Sequence, residues 1–333
     1  MRKIIVFGAT GGVGAYTATQ LIDDGYQVVA VGHRKSDNGF FEGLGAEYVS
    51  LDIAVLGSFG VLPDSGVLAI VHLAGMLPAR MEGYRPQQYI DMNVTGTLNV
   101  LEYAVGCGAE RVVYANSWSD LAYLADEQTV IPSDGPERFP LDNDHSVYSI
   151  MKNAGAHLCE HYAARHGFKQ FTLRFPNIYL YHPKNTYYVD GKLRRQGLGN
   201  IISEIERGED VELWGNPDRV RDMVYVKDCV QIIEKCLTAK SEGGTFNVGT
   251  GVGTTRRDQI QGLIDVFTPE GVEKPQIVVN RDKPDSPQYI MDVTKTRWQL
   301  GYEPRYDYLA FLQDYKKEME LNRCEAIWGT RDL

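Results

Sequence analysis

Hydrophobic residues in the first half of the chain occur in short runs that are apolar almost throughout, and glycine or polar residues end the runs. A strand with one solvated face would alternate apolar and polar residues, whereas continuous apolar runs are typical of strands covered on both faces. Longer amphipathic stretches between the runs predict helices. The pattern predicts strands at 4–8, 27–32, 46–51, 69–74, 111–116 and 171–175, and helices at 12–24, 93–105 and 146–166. This alternation predicts an α/β fold with a doubly wound parallel sheet.

The alternation of strands and helices stops after about residue 177. Residues 181–200 are rich in Tyr, His, Arg and Gly and show no clear period. Shorter elements follow, with helices predicted at 201–207 and 226–240 and an extended segment at 211–213. We therefore expect a doubly wound domain at 1–177 and a smaller, loop-rich lobe at 178–333. Return segments at about 211–250 are expected to pack on the first domain.

Composition and charge narrow the class of protein. The chain has 333 residues, 43% of them hydrophobic, which suits one large or two fused domains. No apolar run approaches the roughly 20 residues of a transmembrane helix, and no signal peptide is recognised, so we expect a cytoplasmic protein without a membrane partner. The five cysteines have no paired spacing, which predicts reduced thiols and no metal site. The net charge of −10 disfavours nucleic acid as a partner.

A glycine-rich segment lies between the first predicted strand and the first predicted helix. Its residues are Gly8, Ala9, Thr10, Gly11, Gly12, Val13 and Gly14. Residues without a Cβ allow a sharp turn and a close approach of the backbone to a pyrophosphate, and the helix N-terminus attracts the anion. Because the segment sits between a strand and a helix, the sequence favours a dinucleotide-binding turn over a glycine-rich turn without a ligand.

A tyrosine and a lysine lie four residues apart on the third predicted helix. Tyr148 and Lys152 therefore share one helical face. A free phenol has a pKa of about 10, so little of the basic phenolate form is present at neutral pH. A neighbouring ammonium favours the phenolate and lowers that pKa, so the pair is suited to general acid/base chemistry. A Tyr and a Lys four residues apart also occur by chance. We favour a catalytic role for Tyr148 and Lys152 because their helix follows the strand that ends near Ser117.

The order of these motifs and of several further segments resembles the extended short-chain dehydrogenases/reductases, specifically their nucleotide-sugar epimerase and dehydratase branch. The segments are 51–53, 71–75, 93–100, 173–179, 219–228, 246–249 and 300–304. The resemblance implies a Rossmann domain at 1–177 and a substrate lobe at 178–333. It implies cofactor contacts from Gly8, Thr10, Gly11, Gly12, Val13, Gly14, Asp52, Ile53, Leu73, Ala74, Gly75, Asn93, Tyr148, Lys152 and Pro176.

The resemblance also implies a substrate site for a nucleotide-diphosphate sugar. The expected catalytic residues are Ser117, Tyr148 and Lys152, and the expected substrate contacts are Ser117, Ser119, Asn177, Asn200 and Arg221. In this interpretation Ser117, or as a second choice Ser119, bonds the reacting sugar oxygen, and Arg221 grips the diphosphate. Arg221 could instead form a structural salt bridge to Asp222 or Asp228.

The chain departs from the family pattern near Ser117. Asn116 precedes Ser117 where a small residue is usual, and Trp118 and Ser119 follow it. The 4,6-dehydratases have an Asp-Glu pair at this point, so the expected acid for a leaving hydroxyl is missing. Leu180 also replaces the usual glycine after Tyr179.

The end of the second strand bears on the choice between NAD and NADP. NAD enzymes commonly place a carboxylate here for the ribose 2′-OH, but this chain has Gly32 followed by His33, Arg34 and Lys35. We favour NADP, with His33 and Arg34 near the 2′-phosphate, because a guanidinium suits that group. Asp37 could still serve NAD if the loop curls back, and Arg34 and Lys35 could be simply solvated.

The predicted activity is that of a nucleotide-sugar epimerase, most plausibly at C4, through a 4-keto intermediate. The alternative is an NADPH-dependent 4-ketoreductase, which the missing carboxylate at Gly32 supports. A 4,6-dehydratase and a non-enzymatic dinucleotide sensor fit less well, because the Ser, Tyr and Lys set is present and the dehydratase acid is not. Apolar residues on several faces of helices 93–105 and 146–166 predict a homodimer through those helices.

Overall fold

The apolar runs of the sequence form the strands of one central sheet. The computed structural model describes residues 2–80, 82–125, 127–141, 144–184, 186–189 and 191–331. Its strands are β1 (Lys3–Phe7), β2 (Gln27–Gly32), β3 (Glu47–Ser50), β4 (Val67–His72), β5 (Arg111–Ser117), β6 (Val130–Ile131), β7 (Lys169–Phe175), β8 (Thr186–Val189), β9 (Lys192–Arg195), β10 (Val211–Trp214), β11 (Val220–Asp222), β12 (Gly243–Asn247), β13 (Gly253–Thr255), β14 (Ile277–Asn280) and β15 (Ile290–Met291).

Helices follow most of the sheet strands. They are α1 (Gly12–Asp23), α2 (Phe40–Gly43), α3 (Pro86–Ile90), α4 (Gly96–Gly106), α5 (Asp144–His166), α6 (Gly197–Glu206), α7 (Val226–Thr238), α8 (Arg256–Phe267), α9 (Thr294–Leu300), α10 (Tyr308–Leu321) and α11 (Glu325–Trp328). A π-helical turn at Asp91–Thr95 leads directly into α4. No helix in the part of the chain that the structure describes has both the length and the apolar character to cross a bilayer.

The central sheet has the strand order β12-β7-β5-β4-β1-β2-β3 across the described residues, and every neighbouring pair is parallel. From β1 the chain adds β2 and β3 on one side and then returns to add β4 and β5 on the other. The order therefore reverses between β1 and β4, and a crevice opens there at the carboxyl ends of the strands. The predicted doubly wound parallel sheet is confirmed.

Both faces of the sheet are covered, which explains why its strands are apolar throughout. Ile4 and Val6 of β1 belong to a core that also includes Ile233 of α7, while Ile5 and Phe7 belong to the opposite core. That opposite core includes residues of α4 and α5, namely Val100, Leu101 and Cys159. Val100 and Leu101 are fully buried within the protomer.

The second half of the chain extends the central sheet and also forms a separate hydrophobic core. One part returns to the sheet, because β12 pairs with β7 and α7 packs against α1. The rest forms a separate core from α6, β10, α8 and α10, whose main residues are Ile202, Ile205, Val211, Leu213, Leu263, Ile264, Phe311 and Leu312. α6 begins at Gly197, earlier than predicted, and β8 and β9 form a hairpin where no structure was predicted.

A buried ion pair holds the segment after β5 against β7. Arg174 of β7 donates from Nε and Nη2 to the Asp120 carboxylate at 2.8–3.1 Å, and its Nη1 donates to the Ser133 carbonyl oxygen at 2.8 Å. Both side chains are almost inaccessible to solvent. Because Asp120 lies three residues after Ser117, this pair fixes the path of the chain next to the end of β5.

We expect Asp120→Asn to lower the free energy of unfolding by about 3–5 kcal/mol, since it leaves the Arg174 charge buried without its partner. Urea unfolding measures the change. The control is Glu242→Gln, which removes an exposed ion pair to Lys169 and should cost less than about 1 kcal/mol. Equal effects of the two substitutions would contradict the structural role given to Asp120.

Candidate active site

Three backbone segments meet where β1 turns into α1. Gly8 has a φ of +84°, and a Cβ built on it would lie 2.7 Å from the Ala74 backbone nitrogen. A Cβ on Gly14 would collide with the Gly8 carbonyl oxygen. The turn therefore excludes side chains at both positions, and the backbone that they leave exposed is the surface a pyrophosphate needs.

The N-terminus of α1 faces the same crevice. Gly11 precedes the helix in an extended conformation, and no side chain caps the first turn. A Cβ built on Gly12 would lie 3.2 Å from the Leu180 side chain, Val13 is half-buried, and Thr10 is buried. The uncapped N–H groups and the helix dipole suit an anion, so the residues present fit the phosphates of a dinucleotide.

The end of β2 is closely packed around Gly32, so a side chain there would displace its neighbours. A Cβ at this position would lie 2.9 Å from both Thr10 Oγ1 and Tyr48 Oη. His33 and Arg34 follow as exposed side chains. The buried Asp37 carboxylate accepts hydrogen bonds from the Gly39 N–H at 3.2 Å and the Phe41 N–H at 2.8 Å. Asp37 is thus engaged with the start of α2.

The loops after β3 and β4 border the crevice. Asp52 is exposed and accepts from the Ala54 N–H at 2.9 Å, while the carbonyl of buried Ile53 accepts from Asn99 Nδ2 at 2.8 Å. Leu73, Ala74 and Gly75 follow β4. Asn93 of the π-helical turn ties down this loop, because its amide accepts from the Met76 N–H at 2.8 Å and donates to the Met76 carbonyl at 3.1 Å.

Ser117, Tyr148 and Lys152 come together above the end of β5. The Tyr148 phenol and the Ser117 hydroxyl are hydrogen-bonded, and Ser117 Oγ also accepts from the Ser119 N–H at 3.2 Å. Lys152 lies one turn further along α5, with Nζ 4.2 Å from the centroid of the Tyr114 ring. The same Nζ is 3.8 Å from the Cβ position of Gly75, so it borders the loop after β4.

Burial shifts the pKa values of Tyr148 and Lys152 toward their neutral forms. It raises the pKa of Tyr148 to about 12, although the hydrogen bond from Ser117 acts in the opposite direction. It lowers the pKa of Lys152 to about 7. Tyr148 can therefore hold or release a proton in a pocket with little water, and release needs additional positive charge close to the phenol.

The remaining predicted residues lie at the end of β7, on β11 and on α6. Pro176 is buried at the end of β7 and Asn177 is exposed beyond it. Arg221 of β11 donates from Nη2 to the Pro287 carbonyl at 3.4 Å and lies over the Tyr289 ring at 5.8 Å. Asn200 lies one turn into α6, further from the helix start than the sequence suggested.

Arg221 forms no ion pair with either neighbouring carboxylate that the sequence analysis considered. Asp222 accepts from the backbone N–H groups of Thr250, Gly251 and Met291. Asp228 accepts from backbone N–H groups of the loop before α10, at Arg305 and Tyr306. Within the described ranges, no group of three or more His, Cys, Asp or Glu side chains is placed to hold a metal ion.

Two residues beside the site were missed from the sequence. Trp328 of α11 donates from Nε1 to the Thr10 carbonyl at 3.0 Å, behind the glycine-rich turn. Arg256, the first residue of α8, lies near Arg221, and its own N–H donates to the Arg219 carbonyl at 2.9 Å. Both contacts join residues far apart in the chain, so no local motif indicates them.

Comparisons with known proteins agree with this geometry. The chain is 25% identical over 307 residues to a putative UDP-glucose 4-epimerase of Methanocaldococcus jannaschii, covering 91% of this chain and 94% of the relative. The fold resembles that of the Thermotoga maritima UDP-glucose 4-epimerase with UDP-glucose, with a TM-score of 0.75, 24% identity and coverage of 96% and 99%.

A second solved structure is the Bacillus cereus UDP-glucuronic acid 4-epimerase in complex with NAD, with a TM-score of 0.70, 20% identity and coverage of 95% and 99%. The model of the NAD dependent epimerase/dehydratase family matches residues 4–249, which is most of the chain. The chain therefore belongs to the NAD dependent epimerase/dehydratase family of enzymes.

Proposed function

We propose that the protein is a nucleotide-sugar epimerase that acts at C4 of the sugar. The observation that carries this proposal is the hydrogen bond between Tyr148 and Ser117, with Lys152 one helical turn away and all three beside the glycine-rich crevice. The 4-epimerase names of the relative and of both solved structures support the same assignment.

In this proposal Tyr148 is the general acid/base. Its Oη accepts the proton of the sugar C4 hydroxyl and later returns it, and Ser117 Oγ holds the same sugar oxygen in line with the phenol. The Lys152 ammonium favours the phenolate, which lowers the raised pKa of Tyr148 toward the working range. A bound nicotinamide dinucleotide would supply the hydride acceptor for C4 and the donor for the return step.

Binding is divided between the two parts of the chain. Residues 1–177 would hold the dinucleotide through the cofactor residues named above, and residues 178–333 would mainly hold the sugar nucleotide. Asn177, Asn200 and Arg221 are the proposed substrate contacts of this second part, and Ser119 is the alternative to Ser117. Catalysis then takes place where the two parts meet above β5 and β7.

An NADPH-dependent 4-ketoreductase remains the second candidate, because one observation favours NADP. Gly32 stands where NAD enzymes commonly have a ribose-binding carboxylate, and the Asp37 carboxylate accepts hydrogen bonds from the Gly39 and Phe41 N–H groups at the start of α2. A dehydratase is disfavoured because Asp120, the carboxylate nearest in sequence after Ser117, is paired with Arg174. Two incubations separate the candidates. With UDP-glucose or UDP-glucuronic acid and the oxidised cofactor, an epimerase inverts C4 with no net change in the cofactor, whereas a reductase produces no epimer. With a nucleotide-linked 4-keto sugar and NADPH, a reductase oxidises one NADPH per turnover.

We expect Tyr148→Phe to lower kcat by about two to four powers of ten while cofactor binding is retained, since the variant lacks only the transferable proton. Steady-state turnover and fluorescence titration with NADPH or NADH measure the two properties. Tyr26→Phe, a tyrosine outside the site, is the control and should be as active as the wild type. Turnover close to wild type in the Tyr148 variant would refute the mechanism.

We also propose that Arg34 binds the 2′-phosphate of NADP. Arg34→Ala should then weaken NADP(H) binding roughly tenfold to a hundredfold, because a charge-assisted hydrogen bond contributes about 1.5–3 kcal/mol. NAD(H) binding is the internal control and should hardly change. Since Arg34 is exposed, the effect should decrease at high salt. Tighter binding of NAD than of NADP by the wild type would reject this preference.

The homodimer stays a prediction, with α4 and α5 as its interface. The burial of Val100 and Leu101 inside the protomer leaves half-buried residues of α5, including Val147 and Leu158, for such a contact. Light scattering at micromolar concentration should give about twice the protomer mass. An Arg introduced in Leu158→Arg should shift the mass toward the monomer, and a monomeric wild type would exclude the interface.

A further inference from the structure

Arg221 is not the only arginine at its end of the substrate lobe. β11 pairs antiparallel with β13, and the pairing places Arg221 opposite Thr254, two residues before Arg256. The hydrogen bond from the Arg256 N–H to the Arg219 carbonyl continues this pairing into the first turn of α8. The fold therefore brings two guanidinium groups, those of Arg221 and Arg256, to one place.

Neutral groups hold the two side chains in position. Arg256 donates from Nη1 to Oε1 of the buried Gln259 at 2.7 Å, and Gln259 Nε2 donates to the Thr254 carbonyl at 2.8 Å. Arg221 is hydrogen-bonded to the Tyr179 hydroxyl, makes a long contact of 3.4 Å to the Pro287 carbonyl and lies over the Tyr289 ring. The Nε atoms of both arginines are buried and have no hydrogen-bond partner among the described residues.

The positive charge at this position is therefore not neutralised. In the part of the chain that the structure describes, no carboxylate forms an ion pair with Arg221 or Arg256. Burial lowers the pKa of Arg256, and the neighbouring Arg221 charge lowers it further. Two like charges held close together and partly removed from water destabilise the protein unless an anion joins them.

We infer that Arg256 acts together with Arg221 as a paired anion site for the diphosphate of the sugar nucleotide, with one guanidinium available for each phosphate. The identity of the anion rests on the proposed function, whereas the presence of an anion site rests on the two arginines alone. A second phosphate is then required for tight binding, so Arg256 determines the preference for nucleoside diphosphates over monophosphates.

The other cations considered from the sequence are less suited to this role. Arg281 and Lys283 are exposed, and Lys283 Nζ lies over the Trp214 ring at 5.1 Å. Exposed ammonium and guanidinium groups are well solvated and gain little from an added anion. A half-buried guanidinium with an unpaired, buried Nε–H gains more, because the anion can supply hydrogen bonds that the surrounding residues do not.

The test compares Arg256→Gln with Arg257→Gln in the full chain by isothermal titration with UDP, UMP, GDP and GMP. Both variants remove one positive charge from adjacent positions, but Arg257 is exposed. Arg256→Gln should bind UDP or GDP roughly tenfold to a hundredfold more weakly than the wild type and bind the monophosphate almost unchanged. Arg257→Gln should behave as the wild type, and NADPH or NADH titration should be normal in both variants.

The Tm of the unliganded protein distinguishes an anion-binding arginine from a purely structural one, because removal of a structural arginine should lower the Tm. Because Arg256→Gln removes one of two partly buried like charges, it should keep or raise the Tm of the unliganded protein while it weakens diphosphate binding. Gln259→Glu should likewise weaken UDP binding, because the new carboxylate would lie next to Arg256 Nη1 and compensate the guanidinium charge. A lower Tm in Arg256→Gln together with unchanged UDP binding would overturn the inference.

The outcomes also separate this inference from the proposed function. If Arg221→Gln weakens diphosphate binding and Arg256→Gln does not, the paired site is wrong and the epimerase proposal stands. If Arg256→Gln loses diphosphate binding but the wild type does not epimerise sugar nucleotides, the site is supported and the activity is wrong. If the wild type binds neither UDP nor GDP, both are overturned.

Discussion

The arrangement of the first half of the molecule depends on a contact between backbones that leaves no space for a side chain. Gly8 approaches the chain after β4, and Gly14 approaches the Gly8 carbonyl, so the turn, the start of α1 and the end of β4 form one close-packed unit. A Cβ on Gly8 would push the turn away from the end of β4, beside the point where the strand order reverses, and a Cβ on Gly14 would push α1 away from the turn. The same closeness that positions the sheet also exposes backbone N–H groups to a phosphate.

Ionisable groups respond to burial differently on the two sides of the site. Tyr148, Lys152 and His72 lie in a pocket that favours their neutral forms, and burial lowers the pKa of His72 to about 3, with Lys152 adding to the effect. Guanidinium groups such as Arg221 and Arg256 keep their charge when buried because their pKa is far above neutrality. In the proposed mechanism the proton transfer would therefore take place in a weakly charged pocket, and the positive charge proposed to bind the substrate would lie on β11 and α8.

The sequence predicted the parts of the molecule that depend on local patterns. The strands and helices around the glycine-rich turn were located to within a few residues because apolar runs and glycine spacing are local signals. The start of α6 was missed because Gly197 and Gly199 are poor helix formers, and tertiary contacts of Ile202 and Ile205 stabilise that helix. Arg256 was missed because only the pairing of β11 with β13 brings it to Arg221.

The hydrogen bond from Trp328 to the Thr10 carbonyl has a consequence for synthesis of the protein. These residues are 318 positions apart, so the ribosome makes the glycine-rich turn long before the tryptophan that donates a hydrogen bond to it. At about 5–20 residues per second the interval is roughly 15 to 60 seconds. During that time β1 and α1 are available for local folding but lack this support. α11 also contacts the loop after β2, because Asn38 Nδ2 donates to the Ala326 carbonyl. Residues that are synthesised late therefore complete a part of the crevice whose other residues are synthesised much earlier.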